Sequence, residues 1–309
     1  MKLLKVSLLL LFLASTGYAD EAKKTADHLQ DVSVTIVSEG SRSRGEGSGI
    51  IFSRNDKDGN TVNFIWTADH VIDNLRSERK VIVKGSPKTI VEFKDAKIVK
   101  VIRQNGRAVG QLELNAEVVK YSDSEDGHDL ALLRVRKLNF VDDTVRFYLD
   151  KEIPKLGTDL WHVGSLLGQL GSNSMTDGIY SQTGRLIPNL NKHVFDQTTV
   201  AAFPGSSGGG VFLKSNKCYV GMLVRGAGET FNLIVPVRRM VQWAEKNKIM
   251  WALDPTVKMP TDDELAKIPV EDVGADFSKE SEEKKQRKRA LVSKDYPFLL
   301  KVQENFITK

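Results

Sequence analysis

Asn63-Phe-Ile-Trp-Thr-Ala-Asp-His70 is a short apolar run that stops abruptly at a carboxylic acid and a histidine. Its bulky residues suit a pleated, half-buried surface, and it is too short to complete an amphipathic helix. It reads as a strand that ends on a histidine. Outward from it, the same texture fills the chain from Asp31 to Val237. Short apolar stretches alternate with Gly, Asn, Asp and Ser: Val32-Ser-Val-Thr-Ile-Val37, Gly49-Ile-Ile-Phe52, Lys80-Val-Ile-Val83, Leu130-Ala-Leu-Leu133 and Tyr219-Val-Gly-Met-Leu-Val224. Strands at such spacing, without helices between them, predict antiparallel β structure closed into barrels or a sandwich. One helical pattern follows, from about Val237 to Lys248, with Met240, Val241, Trp243 and Ala244 on one stripe. That helix is expected to close the β region.

The chain has 309 residues, 40% apolar and 28% charged. This excludes a multispanning membrane protein and a wholly disordered chain, and is enough for two units of about 150 residues or one larger all-β unit. Met1 to Ala19 carries Lys2 and Lys5, then the apolar run Val6 to Ala14, then Gly17-Tyr-Ala19. A basic start, a short greasy middle and a small residue before the cut describe a secretory signal peptide, and the run is too short to span a bilayer. The expected destination is the periplasm or the exterior, with no stable membrane span after cleavage. The formal charge of +5 falls to +3 without Lys2 and Lys5, too little to argue for nucleic acid. Cys218 is the only cysteine, so no intramolecular disulfide can form.

The expected organisation is a signal peptide (1–19), an N-terminal segment (20–30), a β-rich unit (31–250) and a charged extension (251–309), partly disordered or helical. Within that extension, Lys279 to Arg289 is charged at nearly every position, and its later part, Lys284 to Arg289, is basic enough to touch an anionic surface. Tyr296-Pro-Phe-Leu-Leu300 is a candidate apolar tether.

The five histidines, His28, His70, His128, His162 and His193, all precede Ser207. Gly205-Ser-Ser-Gly-Gly209 fits G-x-S-x-G, but an α/β-hydrolase needs its histidine after the serine, and papain-type use of Cys218 fails for the same reason. The order His, Asp, Ser stays open. His70 ends an apolar strand, where a base can be held rigidly at a cleft. Asp129 immediately precedes the buried run Leu130 to Leu133, where its carboxylate is sheltered. Ser207 lies among glycines that let a loop turn tightly and aim the Gly205 and Ser207 amides at one point, an oxyanion hole. In this arrangement His70 takes the Ser207 proton while Asp129 fixes the imidazole tautomer. His-x-x-x-His spacing is absent, one cysteine cannot build a thiolate zinc site, and no phosphate-cradling loop occurs, so neither metal nor cofactor is expected.

Thr67-Ala-Asp-His70, Asp129-Leu-Ala-Leu-Leu133 and Gly205-Ser-Ser-Gly-Gly209 resemble the three signature blocks of trypsin-like serine proteases of the chymotrypsin fold, with the bacterial HtrA/Deg-like branch the nearer match. Trp161-His-Val-Gly164 and Asp177-Gly-Ile-Tyr-Ser-Gln-Thr-Gly184 are similar to segments that enter the second barrel, and the resemblance covers about residues 31–250. It implies an all-β fold of two six-stranded antiparallel barrels with a C-terminal helix, a cleft between them, and endopeptidase activity on protein or peptide substrates. It also implies a primary pocket floored by Ala201, which disfavours cleavage after Lys or Arg. The groove strand would carry Val224, Arg225 and Gly226, with Asn232 on the pocket wall. Arg225 is expected on the rim as a solvated charge, the alternative being a contact to an acidic substrate side chain. Asp69 departs from the family pattern; it is expected to point outward, and would raise the pKa of His70 only if turned toward the cleft. A PDZ domain has no room in the final 59 residues. The alternative reading is a catalytically weak two-barrel module that binds proteins in a chaperone-like way.

Overall fold

The computed structural model describes residues 24–40, 43–83, 86–104, 106–125, 127–187, 193–226 and 230–272. The signal-peptide region, the Lys279–Arg289 run and the Tyr296–Leu300 segment lie outside the described residues. After a helix over 24–31 (α1), the chain forms two closed six-stranded antiparallel barrels. The first comprises β1 (Ser33–Glu39), β2 (Arg44–Asn55), β3 (Thr61–Thr67), β6 (Ala96–Gln104), β7 (Arg107–Ser122) and β8 (Leu130–Val135), in the closed order β1-β2-β3-β8-β7-β6. The second comprises β9 (Asp159–Leu166), β10 (Gly171–Leu186), β11 (Val194–Thr198), β12 (Gly210–Leu213), β13 (Tyr219–Gly226) and β14 (Asn232–Pro236), closed as β10-β11-β14-β13-β12-β9. The two-barrel architecture implied by the family resemblance is what forms, where the strand texture alone left a sandwich open. Closure gives every barrel strand a paired neighbour on both sides. β4 (Arg76–Val83) and β5 (Ser86–Phe93) form a separate two-stranded hairpin.

The strand patterns explain the cores. β3 and β8 are buried almost throughout, because their apolar runs face the barrel interior on one side and neighbouring elements on the other. One apolar cluster joins Phe52, Phe64, Trp66 and Leu132 of the first barrel to Phe212, Tyr219 and Met222 of the second. A smaller cluster of Leu160, Tyr180, Val211, Val220 and Ile234 fills the second barrel. Burial of each such side chain contributes about 1.5–3 kcal/mol. Thr35 Oγ1 meets Ser165 Oγ at 2.6 Å and Ser172 Oγ at 2.7 Å, a buried hydroxyl seam between the barrels.

Helix α3 (Val237–Asn247) follows Pro236, whose extended backbone starts it. Met240, Trp243 and Ala244 form the buried stripe that the pattern predicts. It ends where Lys248 enters the left-handed region at φ 59°, the Ile249 N–H closing back on the Ala244 carbonyl at 2.8 Å.

Residues beyond α3 then run back over the first barrel as a strap. Trp251 is buried against Phe64, the Trp66 indole N–H donates to the Ala252 carbonyl at 3.1 Å, and α4 (Asp262–Leu265) carries a Thr261/Glu264 capping box. The strap reaches Tyr121, whose N–H donates to the Val270 carbonyl at 2.8 Å, and Lys120, whose ammonium donates to the carbonyls of Pro269 and Glu271. Among the described residues no helix is long and apolar enough to cross a membrane.

Candidate active site

β3 delivers His70. The strand ends at Thr67, Ala68 turns the chain, and the four-residue helix α2 (Asp69–Ile72) presents the imidazole, about one-third exposed, to solvent. β8 delivers Asp129 from the position just before its first residue. Asp129 is fully buried and sits at φ 55°, a left-handed backbone that a non-glycine residue adopts at a cost of about 1–3 kcal/mol. The strain aims its carboxylate at α2. Its Oδ1 and Oδ2 lie 2.9 and 3.1 Å from His70 Nδ1, and Oδ1 also accepts the His70 backbone N–H at 3.3 Å. Burial alone would push the Asp129 pKa up. The His70 ring, its hydrogen bonds and the Arg225 charge outweigh that and hold it at about 2.

Ser207 comes from the loop before β12. Gly205 at φ 94° and Gly208 at φ 87° make its turn. A Cβ at Gly205 would stand 2.3 Å from the Ser165 carbonyl oxygen, and one at Gly208 2.0 Å from that of Ser48, so both positions exclude side chains by space as well as by backbone. Neither the Gly205 nor the Ser207 amide N–H donates to an acceptor among the described residues. Two donors in the Ser207 loop are thus without an acceptor among the described residues.

The loop lies against the His70 helix. A Cβ on Gly47 would meet the Val71 side chain at 2.5 Å and the Ser207 carbonyl at 3.1 Å, which puts Ser207 one glycine's width from the residue after His70. The Ser207 hydroxyl donates to the Val224 carbonyl at 3.4 Å. Val224, Arg225 and Gly226 lie at the end of β13, beside Ser207. Behind them, Asn232 is fully buried; its amide donates to the Val200 carbonyl at 2.7 Å, and its Oδ1 lies against Gly226. Ala201 follows Val200, and its carbonyl accepts the Thr176 hydroxyl at 2.9 Å.

Two expectations are corrected. Arg225 is not a solvated rim charge: its side chain is 25% exposed, and Nη2 lies 3.8 Å from Asp129 Oδ2, because a buried carboxylate draws the nearest cation inward. Asp69 does not point outward either. It is fully buried, and neither carboxyl oxygen has a hydrogen-bond partner. Burial, with Asp129, Asp123 and Asp73 nearby, raises its pKa well above the ordinary carboxylate range. Asp69→Asn leaves a buried polar group in place but removes one whose ionisation favours the unfolded chain at neutral pH, and should stabilise the protein by roughly 1–3 kcal/mol there. Thermal melting will register this as a rise of several degrees. The raised pKa favours the neutral carboxyl, so the variant's pH–rate profile should overlay the parent's. An unchanged or lower melting temperature would show that Asp69 has a partner the geometry does not reveal.

Some supporting residues were missed by sequence reasoning. Ser48 is fully buried; its hydroxyl donates to the Gly205 carbonyl and accepts the Ser165 N–H, both at 2.7 Å, while its own N–H donates to the Ser207 carbonyl at 2.7 Å. One serine therefore pins the Ser207 loop to both barrels, and the flanking Gly47 and Gly49 were its only signal. Arg239, also buried, donates to the His128 carbonyl next to Asp129. From the strap, Asp272 accepts the Ser122 hydroxyl at 2.5 Å, and Ser122 Oγ in turn accepts the His128 N–H at 2.8 Å.

A family model described as a trypsin-like peptidase domain matches residues 47–222, more than half of the chain. The chain belongs to the trypsin-like peptidases. A relative from Hahella chejuensis, described as a probable periplasmic serine endoprotease, DegP-like, is 36% identical over 107 residues, which cover 34% of this chain and 21% of that protein. Among solved structures, a serine endoprotease from Yersinia pestis aligns with a TM-score of 0.51 at 20% identity, covering 72% of this chain and 65% of its own. An HtrA-type protease, AlgW, solved as a serine-to-alanine variant with a tripeptide, aligns with a TM-score of 0.53 at 17% identity, covering 74% and 64%. At those identities the two structures bear on the fold. The match thus spans about a fifth of the curated relative and just under two-thirds of the solved chains.

Proposed function

We propose that the chain is an exported serine endopeptidase that hydrolyses peptide bonds through an acyl-enzyme on Ser207. His70 takes the Ser207 proton and later returns it to the leaving amine, Asp129 orients the imidazole and stabilises its cation, and the Gly205 and Ser207 amides hold the oxyanion. The observation that carries the reading is the His70–Asp129 pair: a partly exposed imidazole bonded at 2.9 Å to a wholly buried carboxylate, beside a serine loop with two undonated amides. Export is supported by the basic and apolar character of Met1 to Ala19 and by the name of the periplasmic relative.

Substrate preference follows from what lies behind the serine. Asn232 occupies the interior beside Gly226, and Ala201 offers no carboxylate. A small or medium uncharged residue at the cleaved position is therefore preferred over Lys or Arg, whose charge would be desolvated without a partner.

The competing reading, a two-barrel binding module with little turnover, draws on the Ser207 hydroxyl resting on Val224 and not on His70. A fluorophosphonate probe separates the two. Labelling of the parent, lost in Ser207→Ala and reduced at least 100-fold in His70→Ala, is the expected result. Folded parent protein that resists labelling would favour the binding module.

A further inference from the structure

The open face of β13 beside Ser207 carries a cation with unspent capacity. β12 pairs with β13 only as far as the Gly210–Met222 couple, and Leu223 still exchanges bonds with Gly208 and Gly209. Beyond it, Val224–Gly226 pairs with β14 alone among the described residues. That is a free strand edge starting at the residue whose carbonyl receives the Ser207 hydroxyl, and an extended peptide adds to such an edge by main-chain bonds. Arg225 is the side chain at its centre.

Arg225 reaches from the second barrel to the first, with Nη2 3.5 Å from the Ser124 carbonyl oxygen and 3.8 Å from Asp129 Oδ2. Both are long for a guanidinium, and its Nε is buried with no hydrogen-bond partner. Asp129 is also engaged twice by His70. Arg225 thus shares a carboxylate already committed to the imidazole, and its partly exposed guanidinium, held by long contacts, can take a second carboxylate.

We propose that Arg225 forms a subsite for an acidic side chain, Glu or Asp, on the substrate strand within a few residues of the scissile bond. This rests on the reading of the cleft as a peptidase site. It adds a selection that the uncharged primary pocket does not make.

The test has two arms. In the first, the full chain is offered a positional peptide library with Glu, Gln and Lys at each of four positions on either side of the bond. The expected result is about tenfold higher kcat/KM for Glu over its neutral isostere Gln at one position, shrinking as salt is raised. Arg225→Gln abolishes the preference and Arg225→Glu turns it toward Lys. In the second arm, the Ser207→Ala chain is bound to an immobilised octapeptide array with the same substitutions, reading recognition without turnover. Glu peptides should be retained about tenfold more tightly than Gln peptides, and the Arg225→Glu background should reverse the order. Equal treatment of Glu and Gln at every position in both arms overturns the proposal, as does a Glu preference that survives Arg225→Glu. Selective binding by the Ser207→Ala chain with no cleavage by the parent would keep the subsite and sink the peptidase reading.

Discussion

Asp129→Asn will lower kcat/KM by about 10⁴-fold while the chain stays folded. The expectation follows from which proton sits where. In the parent, the Asp129 carboxylate can only accept, so His70 Nδ1 must carry a hydrogen toward it and Nε2 keeps its lone pair for the Ser207 hydroxyl. An Asn side chain in the same place offers an N–H to Nδ1, which moves the ring hydrogen to Nε2 and leaves nothing to receive the serine proton. The imidazolium formed during acylation also loses its buried counter-charge. Fluorophosphonate labelling rates and steady-state cleavage of a library-derived peptide should fall together, with circular dichroism unchanged. A loss of less than tenfold in a folded variant would mean that Asp129 is a structural acid and that the His70 tautomer is set elsewhere.

Stability will fall as pH drops from about 6.5 to 4.5, more steeply once Asp69 is removed. Burial, the largest cause for each, lowers His162 to about 4, His128 to about 3 and His193 to about 4; the stacked His128 and His193 rings also lie near Arg239 and Lys246. The unfolded chain takes up these protons near pH 6.5 and the folded chain does not. In that window the unfolded state therefore binds more protons, and stability rises with pH and is lost on acidification.

His162, sealed inside the second barrel, should contribute about 2 kcal/mol of loss by pH 4.5. His128 and His193, partly reached by water, contribute less each. Asp69 runs the other way: its raised pKa keeps a proton in the folded state that the unfolded state has released, so acidification relieves its cost. Asp129, at about 2, does not enter above pH 4.5. In the Asp69→Asn background, melting should fall by about 10 °C between pH 7 and 4.5. The gap between variant and parent should narrow over the same range. A melting temperature flat across that window in the variant would show that the three imidazoles are protonated within the fold.

The strand texture predicted antiparallel β structure, barrel or sandwich, because each apolar run is long enough to be one strand and too short to be a helix, and turn residues punctuate the runs; the family resemblance supplied the two barrels. The α3 stripe was legible for the same reason: Met240, Trp243 and Ala244 repeat at helical spacing and are buried together. The β4–β5 hairpin was not foreseen as a separate sheet. Its strands resemble barrel staves in composition, and pairing partners are a long-range property. Nor was the strap visible, since residues 251–272 are polar enough to read as a solvated tail, while Trp251, Leu253, Met259 and Leu265 bury themselves singly.

By itself the sequence determined the fold class, the order of the chemistry-bearing residues and the exclusion of chemistries that need a histidine after Ser207. These are properties of local pattern and chain order. Only the tertiary structure decided where Asp69 and Arg225 point, that Ser48 ties the nucleophile loop to both barrels, and that Asp272 braces the segment before Asp129. A side chain's direction is settled by neighbours brought in from distant parts of the chain. A buried carboxylate pulling a cation inward leaves no mark on the residues adjacent to either.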